Sequence, residues 1–428
     1  MKHLMVSSSE NAHINQSMIE PSETNNPSLV KPGRSHRLRR CSTFLIAGLM
    51  LVCVLITGLS ALSNILLPAH TPAAGQLSEL DKARLAEAFH LRSELGDMLW
   101  QGWGQENIPM ILYNEDYTFL VGYPNPPSGW VKVPGNETRG GPWEAVPNDL
   151  LEGQTYYRQR LADPTITPQA FTVLVGDRWV SSLPSREWME IQLGNEIKAS
   201  THPFLRPAFP YRLAARLFLS AAGGVDSYIG GLLHESFHAY EGIHVSGRIS
   251  TVENLYNQNQ SHYPWESGAF AGDWQVELNL LADAVQAKSD EQATDLARQF
   301  LVQRQKRRAA ANLDADLINL ERQKEWEEGL AKYTELAIWR LAATTASYHP
   351  LPALVGDFGF QNYTNFNQRW SQEIEQIRRM ANDQGDTRFY YSGLAQATLL
   401  DRLAPDWKTK IMGEHLFLED LLKDAVNK

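Results

Sequence analysis

Apolar and polar positions along the chain fall into four regimes, and each predicts a different kind of structure. Residues 1–40 are rich in Ser, Asn, Pro and Glu and poor in large apolar groups. Such a stretch buries too little surface to offset the entropy of ordering, so a disordered tail is expected. From Cys41 to Ser78 no Asp, Glu, Lys or Arg appears, and Phe44 to Leu67 is a run of 24 mostly apolar residues. As a helix that run spans about 36 Å, enough to cross a bilayer with some tilt. Residues 41–67 therefore read as a transmembrane helix that meets the lipid bilayer through 44–67, and residues 68–78 as a linker. The competing reading is a cleaved signal peptide with a small-residue site between Ala69 and Ala74. Its apolar region is normally about 7–15 residues, and the tail ahead of this one is long for a signal.

Beyond the linker, Leu80, Leu85, Ala88, Leu91 and Leu95 recur at helical spacing between Glu79 and Trp100. The period then shortens. Met110 to Tyr113 and Tyr117 to Tyr123 read as strands around Asn114 to Asp116, and Phe171 to Val175 with Arg178 to Ser182 as a second pair around Gly176 and Asp177. Trp188 to Leu193 is a further candidate strand. Pro- and Gly-rich stretches separate these runs, such as Pro124 to Gly129 and Arg139 to Pro142, so 79–205 is expected to be a loop-rich α+β part. Trp100, Trp103, Trp130 and Trp143 fall there and are expected to anchor core and loops rather than line a cleft. After residue 205 the helical period returns, in Tyr211 to Ala222, Val225 to His244, Asp273 to Ala287, Asp290 to Asn312 and Asp316 to Ala343. The fold class is thus α+β, mostly helical in its C-terminal half (206–428). The run Arg304 to Arg308 is expected to be one solvated helix face.

Composition and charge then narrow the setting. With 428 residues and 43% apolar content the chain can bury a full core, and its net charge of -10 argues against a nucleic-acid partner. Arg37, Arg39 and Arg40 precede the apolar run, and no basic residue follows it until Lys82. The positive-inside rule then places the N-terminus in the cytoplasm and the C-terminal domain outside, as a single-pass membrane protein. Both cysteines, Cys41 and Cys53, lie in the apolar segment, so the outer domain carries no disulfide and relies on its core. Disulfide-free exported domains fit a bacterial cell membrane.

The chemistry concentrates in Ser227 to His244, which contains His234-Glu235-Ser236-Phe237-His238. On a helix, His234 and His238 lie one turn apart on one face and can reach a single metal ion, with Glu235 about 100° further round. A zinc with three protein ligands lowers the pKa of a coordinated water toward neutrality, and a neighbouring carboxylate can relay its proton to a leaving amine. Chance placement in a surface helix is the bland alternative. Against it, Leu232, Leu233, Phe237, Ala239 and Tyr240 surround the motif, and Glu235 is its one charge.

Two residues compete for the third ligand position. His244 follows His234 at the metzincin spacing, but that pattern needs Gly three residues after the second His, where this chain has Glu241 with Gly at 242. Nor does a methionine stand in a suitable turn, Met380 and Met412 being far off in helical context. The other candidate is Glu328, in Glu325-Trp-Glu-Glu-Gly-Leu-Ala-Lys-Tyr-Thr-Glu335. There Gly329 and Ala331 permit close approach of another helix, while Glu325 and Glu327 are expected to be exposed.

His-Glu-x-x-His followed by a helix carrying Glu-Gly-x-Ala-x-Tyr resembles the gluzincin branch of zinc metallopeptidases, the group with a thermolysin-like, zincin-type core. The resemblance implies one Zn2+ per chain, His234, His238 and Glu328 as ligands, and Glu235 as general base. It covers roughly residues 228–243 and 325–336, and the 89 residues between His238 and Glu328 exceed what simpler members carry. Glu335 or Glu241 is a candidate acceptor for the outer N–H of a ligand histidine, and Tyr333 for packing or bonding at the site. Tyr390 and Tyr391 are candidate donors to an oxyanion.

The reading expected from the sequence is a membrane-anchored zinc hydrolase, a peptidase acting on a peptide or protein substrate. Two alternatives stand beside it: a zinc hydrolase of another cell-envelope amide, and a non-catalytic binding or scaffold domain on a peptidase-like fold. An intact Glu235 speaks against the last, because a structural zinc site needs no base and closes with four ligands.

Overall fold

The computed structural model describes residues 35–72, 75–163, 166–413 and 415–428, and the side chains from residue 47 onward. The tail expected over 1–40 lies outside the described residues up to 34. From Ser35 the chain is already helical: α1 (Ser35–Leu66) includes the basic cluster ahead of the apolar run. Its portion Ala47–Leu66 is long and apolar enough to cross a membrane and is almost wholly exposed.

α2 (Glu79–Leu99) starts at Ser78, whose hydroxyl accepts from the Asp81 N–H. It buries Leu85, Ala88, Leu91 and Leu95 as its period requires, whereas Leu80 stays exposed. An eight-stranded sheet follows, built from β1 (Met110–Tyr113), β2 (Tyr117–Val121), β3 (Trp130–Lys132), β4 (Thr138–Arg139), β5 (Glu144–Ala145), β6 (Tyr157–Arg160), β7 (Phe171–Val175) and β8 (Arg178–Pro184). The spatial order is β4-β3-β7-β8-β1-β2-β6-β5. β1 runs parallel to β8, with Met110 beside Ser181, and the other described pairings are antiparallel. The period-2 alternation divides the strands between two cores: Met110, Leu112, Phe119 and Val121 face the main one, while Ile111, Leu120, Val173, Val175 and Val180 form a smaller one with Tyr123 and Trp130. Trp100, Trp103 and Trp130 are buried, as core anchors.

The strand expected at Trp188 to Leu193 is instead part of α3 (Arg186–Ser200). Met189, Ile191 and Leu193 imitate a strand's alternation, but Ser185 caps the Trp188 N–H and starts a helix directly after β8. Then come α4 (Tyr211–Ala221), α5 (Gly224–Asn259), α6 (Gly268–Val285), α7 (Asp290–Ala310), α8 (Ala315–Thr344), α9 (Phe366–Arg379), α10 (Thr387–Leu403), α11 (Lys408–Ile411) and α12 (Leu418–Val426). α5 is two helices joined at Val245, whose backbone is non-helical at φ -140°. The molecule is thus mixed α/β, and one continuous core spans its sheet and its helices. α5 lies against β7 and β8 on one side and α8 on the other, and α10 packs against α8.

Two expectations about charge are overturned. Arg304, Arg307 and Arg308 are buried rather than solvated, because Glu277 of α6, Glu321 and Glu325 of α8 and Glu419 of α12 neutralise them. Glu325 and Glu327 are likewise buried, paired with Arg304 and Lys324 respectively.

Candidate functional site

The buried heart of α5 carries His234, Glu235, His238 and Glu241. The rest of this turn is pinned by ring packing and a hydrogen bond: the Phe237 ring lies 4.9 Å from Trp100 and edge-on to Trp103, and the Ser236 hydroxyl accepts from Arg92 at 3.0 Å. With that turn fixed, the histidines point at α8. The two Nε2 atoms are 3.2 Å apart, and Glu328 Oε2 lies 3.4 Å from that of His234 and 3.3 Å from that of His238. Three donor atoms therefore converge on one buried point. Glu328 Oε2 has no well-formed hydrogen bond among the described residues.

Each donor is held from behind. Glu241 Oε2 accepts from His238 Nδ1 at 2.9 Å, and Glu335 Oε2 faces His234 Nδ1 at 3.6 Å, so both Nε2 atoms are turned inward. Glu335 is itself held by Lys332, which donates to its Oε1 at 2.9 Å. Lys324 donates to Glu328 Oε1 at 3.1 Å and also to Glu327 and Glu253. Lys324 was not singled out from sequence, although its place four residues before Glu328 on a helix was a readable signal. Phe171 of β7, whose ring lies 4.9 Å from that of His238, gives no such signal because it comes from a distant strand.

The electrostatics match this arrangement. Burial disfavours charge on His234 and His238, yet Glu328 with Glu335 or Glu241 overcomes it and raises both imidazoles above their ordinary value. Burial also opposes ionisation of Glu328, but Lys324 and the histidines hold it well below the usual carboxylate range. Burial raises the Glu235 carboxyl, partly offset by the two histidines. Glu241 is pushed by burial to about 7 against the pull of His238. A set of two imidazoles and a carboxylate that concentrates negative charge on a dry point is chemically suited to a cation. Donors around a tetrahedral ion with bonds of about 2.0–2.1 Å stand roughly 3.3 Å apart, the spacing seen here.

The other candidates are sorted by the same geometry. His244 is half-exposed on α5, its Nε2 3.8 Å from Glu106. Because α5 continues through Glu241 and Gly242, His244 lies about 240° round from His238 and misses the cluster. Tyr390 stacks on His234, with ring centroids 5.7 Å apart and planes at 11°, and its hydroxyl interacts with Glu328. Tyr391 does not share the site. The pair lies inside α10, so consecutive side chains diverge by about 100°, and Tyr391 faces Glu373 and Lys332. Tyr333 also points away, donating to Asp401 at 2.6 Å among Trp100 and Trp407.

No family model, curated protein or solved structure matches the chain.

Proposed function

We propose that the chain is a zinc-dependent hydrolase of gluzincin type, a peptidase held at a membrane by α1 with its C-terminal domain outside the cytoplasm. The observation that carries this reading is the convergence of His234 Nε2, His238 Nε2 and Glu328 Oε2 within 3.4 Å of one another in a buried site, with Glu235 beside them. These three residues would hold one Zn2+, which when bound would polarise the scissile carbonyl and acidify a water. Glu235 takes the proton of the attacking water on its carboxylate and returns it to the leaving amine. Glu241 accepts at His238 Nδ1 and Glu335 faces His234 Nδ1, so the two carboxylates bias the histidine tautomers, and Lys324 keeps Glu328 ionised and oriented. Tyr390, stacked on His234, would donate a hydrogen bond to developing charge on the carbonyl oxygen, and Phe171 would shield the His238 side from water.

The test is elemental analysis of the purified full chain beside three variants. About one zinc per chain is expected in the parent and in His244→Ala, and little in Glu328→Ala. Glu235→Gln should retain zinc while losing at least about 100-fold in cleavage of a peptide library. A parent that takes up no metal when supplied with zinc sinks the reading. Zinc retention with unchanged cleavage in Glu235→Gln removes the catalytic role of that carboxylate.

A further inference from the structure

The chain carries a net charge of -10, yet residues 197–225 contain no Asp or Glu and carry Lys198, Arg206, Arg212 and Arg216. The same stretch holds Phe204, Leu205, Phe209, Leu217 and Phe218, which are 40 to 85% exposed. Single exposed apolar residues are ordinary on a soluble surface. Five within fifteen positions, interleaved with cations and aromatics, are instead the composition of a segment lying in a membrane interface.

The place of this stretch in the fold points the same way. The end of α1 is tied to the start of α4: the Asn64 amide donates to the Phe209 carbonyl at 2.9 Å, and its oxygen accepts from the Arg212 N–H at 3.3 Å. The Arg212 guanidinium donates to the carbonyls of Asn64 and, at 2.7 Å, Leu67. Ile65 and Leu66 at the same end of α1 are themselves more than two-thirds exposed. A bilayer crossed by Ala47–Leu66 therefore ends at the level of the hydrogen bonds that hold the α4 segment.

We propose that Phe204 to Phe218 is a second, interfacial membrane contact. Phe204, Leu205, Leu217 and Phe218 enter the headgroup–acyl boundary of the leaflet where α1 emerges, and Lys198 and Arg206 face anionic headgroups. This rests on the reading of α1 as a membrane span. Two contacts joined by a short bonded link restrain rotation of the outer domain about α1. Because α4 runs through Gly223 directly into α5, the helix bearing His234 and His238 is then held at a set attitude to the lipid surface.

Environment-sensitive fluorophores on single cysteines, in the full chain with Cys41→Ser and Cys53→Ser, test this in vesicles of phosphatidylcholine and phosphatidylglycerol. Labels go on Phe204→Cys, Leu217→Cys, Ile56→Cys within the span, and Val302→Cys on α7, which packs on α6 and α12. The expected result is blue-shifted emission for the labels at 204 and 217, with quenching by spin-labelled lipid and protection from aqueous iodide, while the label at 302 behaves oppositely. Iodide access at 204 and 217 with lipid quenching at 56 overturns the proposal and leaves the span intact. Protection from iodide without lipid quenching assigns the face to a protein contact and also overturns it. A label at 56 open to iodide removes the span, and the proposal with it.

Discussion

At the scale of single residues, the decisive arrangement is that each inward-facing imidazole is backed by a carboxylate on its outer nitrogen. His238 has Glu241 three residues along the same helix, and His234 has Glu335 from α8. A buried imidazole that loses its acceptor is free to rotate or change tautomer, and its Nε2 no longer faces Glu328. Glu241→Ala and Glu335→Ala should each weaken zinc binding about 10–100-fold, measured by competition against a chromogenic chelator. An unchanged affinity in both would show that packing alone orients the rings. The neighbouring tyrosines give a second contrast. Tyr390→Phe removes the phenol beside Glu328 and His234 and should lower kcat on a cleaved peptide about 10²–10³-fold with zinc content unchanged. Tyr391→Phe, facing Glu373, should leave kcat close to the parent value. Equal effects of the two would remove the assignment of Tyr390.

At the scale of elements, the site depends on how closely α8 can be pressed between α5 and α10. Gly329 of α8 meets Gly393 of α10 so tightly that a Cβ on Gly329 would stand 2.5 Å from the Gly393 Cα. Neither partner in this contact is a flexible side-chain tip, so Gly329→Ala must move a helix. The cost is about 1–3 kcal/mol by analogy with overpacked cores, and the displacement falls on the residue next to Glu328 and on the helix bearing Tyr390. Thermal denaturation of the variant should show the lowered stability, and chelator competition a weakened metal site. Wild-type values in both measurements would mean that the interface is softer than its geometry. The small residues beside Glu328 already pointed to such a contact in the sequence, and the spacing of His234 and His238 to one shared helix face, because both signals are local. The strands β1, β2, β7 and β8 and the helices α2 and α4 to α8 were legible for the same reason, but the 14-residue α9 was not. β4 and β5 have two residues each and exist through pairing with β3 and β6, which no local period announces. Trp188 to Leu193 misled because a short alternation is compatible with either state, and the cap at Ser185 decided between them. Nor could the phase that separates Tyr390 from Tyr391 be read before α10 had a start.

At the scale of the whole molecule, the cluster read from sequence as a solvated basic face is a buried ionic joint, and its carboxylates come from positions before and after it along the chain. Arg307 donates to Glu321 at 2.6 and 3.0 Å and Arg308 donates to it at 2.7 Å. Glu277 of α6 binds Arg304 and Arg307, Glu419 of α12 binds Arg304 and Arg308, and Tyr263 donates to Glu321 at 2.6 Å. Four helices thus meet on charges that have left water. Such a joint is costly to break from one side, because without Glu321 the buried Arg307 keeps only Glu277, and Arg308 only Glu419, as counter-charge among the described residues. Glu321→Gln should therefore cost about 3–5 kcal/mol at neutral pH, measured by denaturant unfolding of the full chain in detergent. The pH dependence gives a sharper check. Burial opposes ionisation of Glu321, but Arg307 and Arg308 overcome it and hold its carboxyl far below the ordinary value of 4.5. The folded chain therefore keeps this group ionised where the unfolded chain protonates it, so its stabilising contribution is complete above the unfolded value and declines as pH falls toward the folded one. The gap between parent and Glu321→Gln should stay level from pH 8 to about 5. Below about pH 4 it should narrow by up to about 1.4 kcal/mol per pH unit, the limit for one proton. A gap that stays level through that acid range would mean that Glu321 is not held ionised by the arginines, and the joint would then be a set of neutral hydrogen bonds.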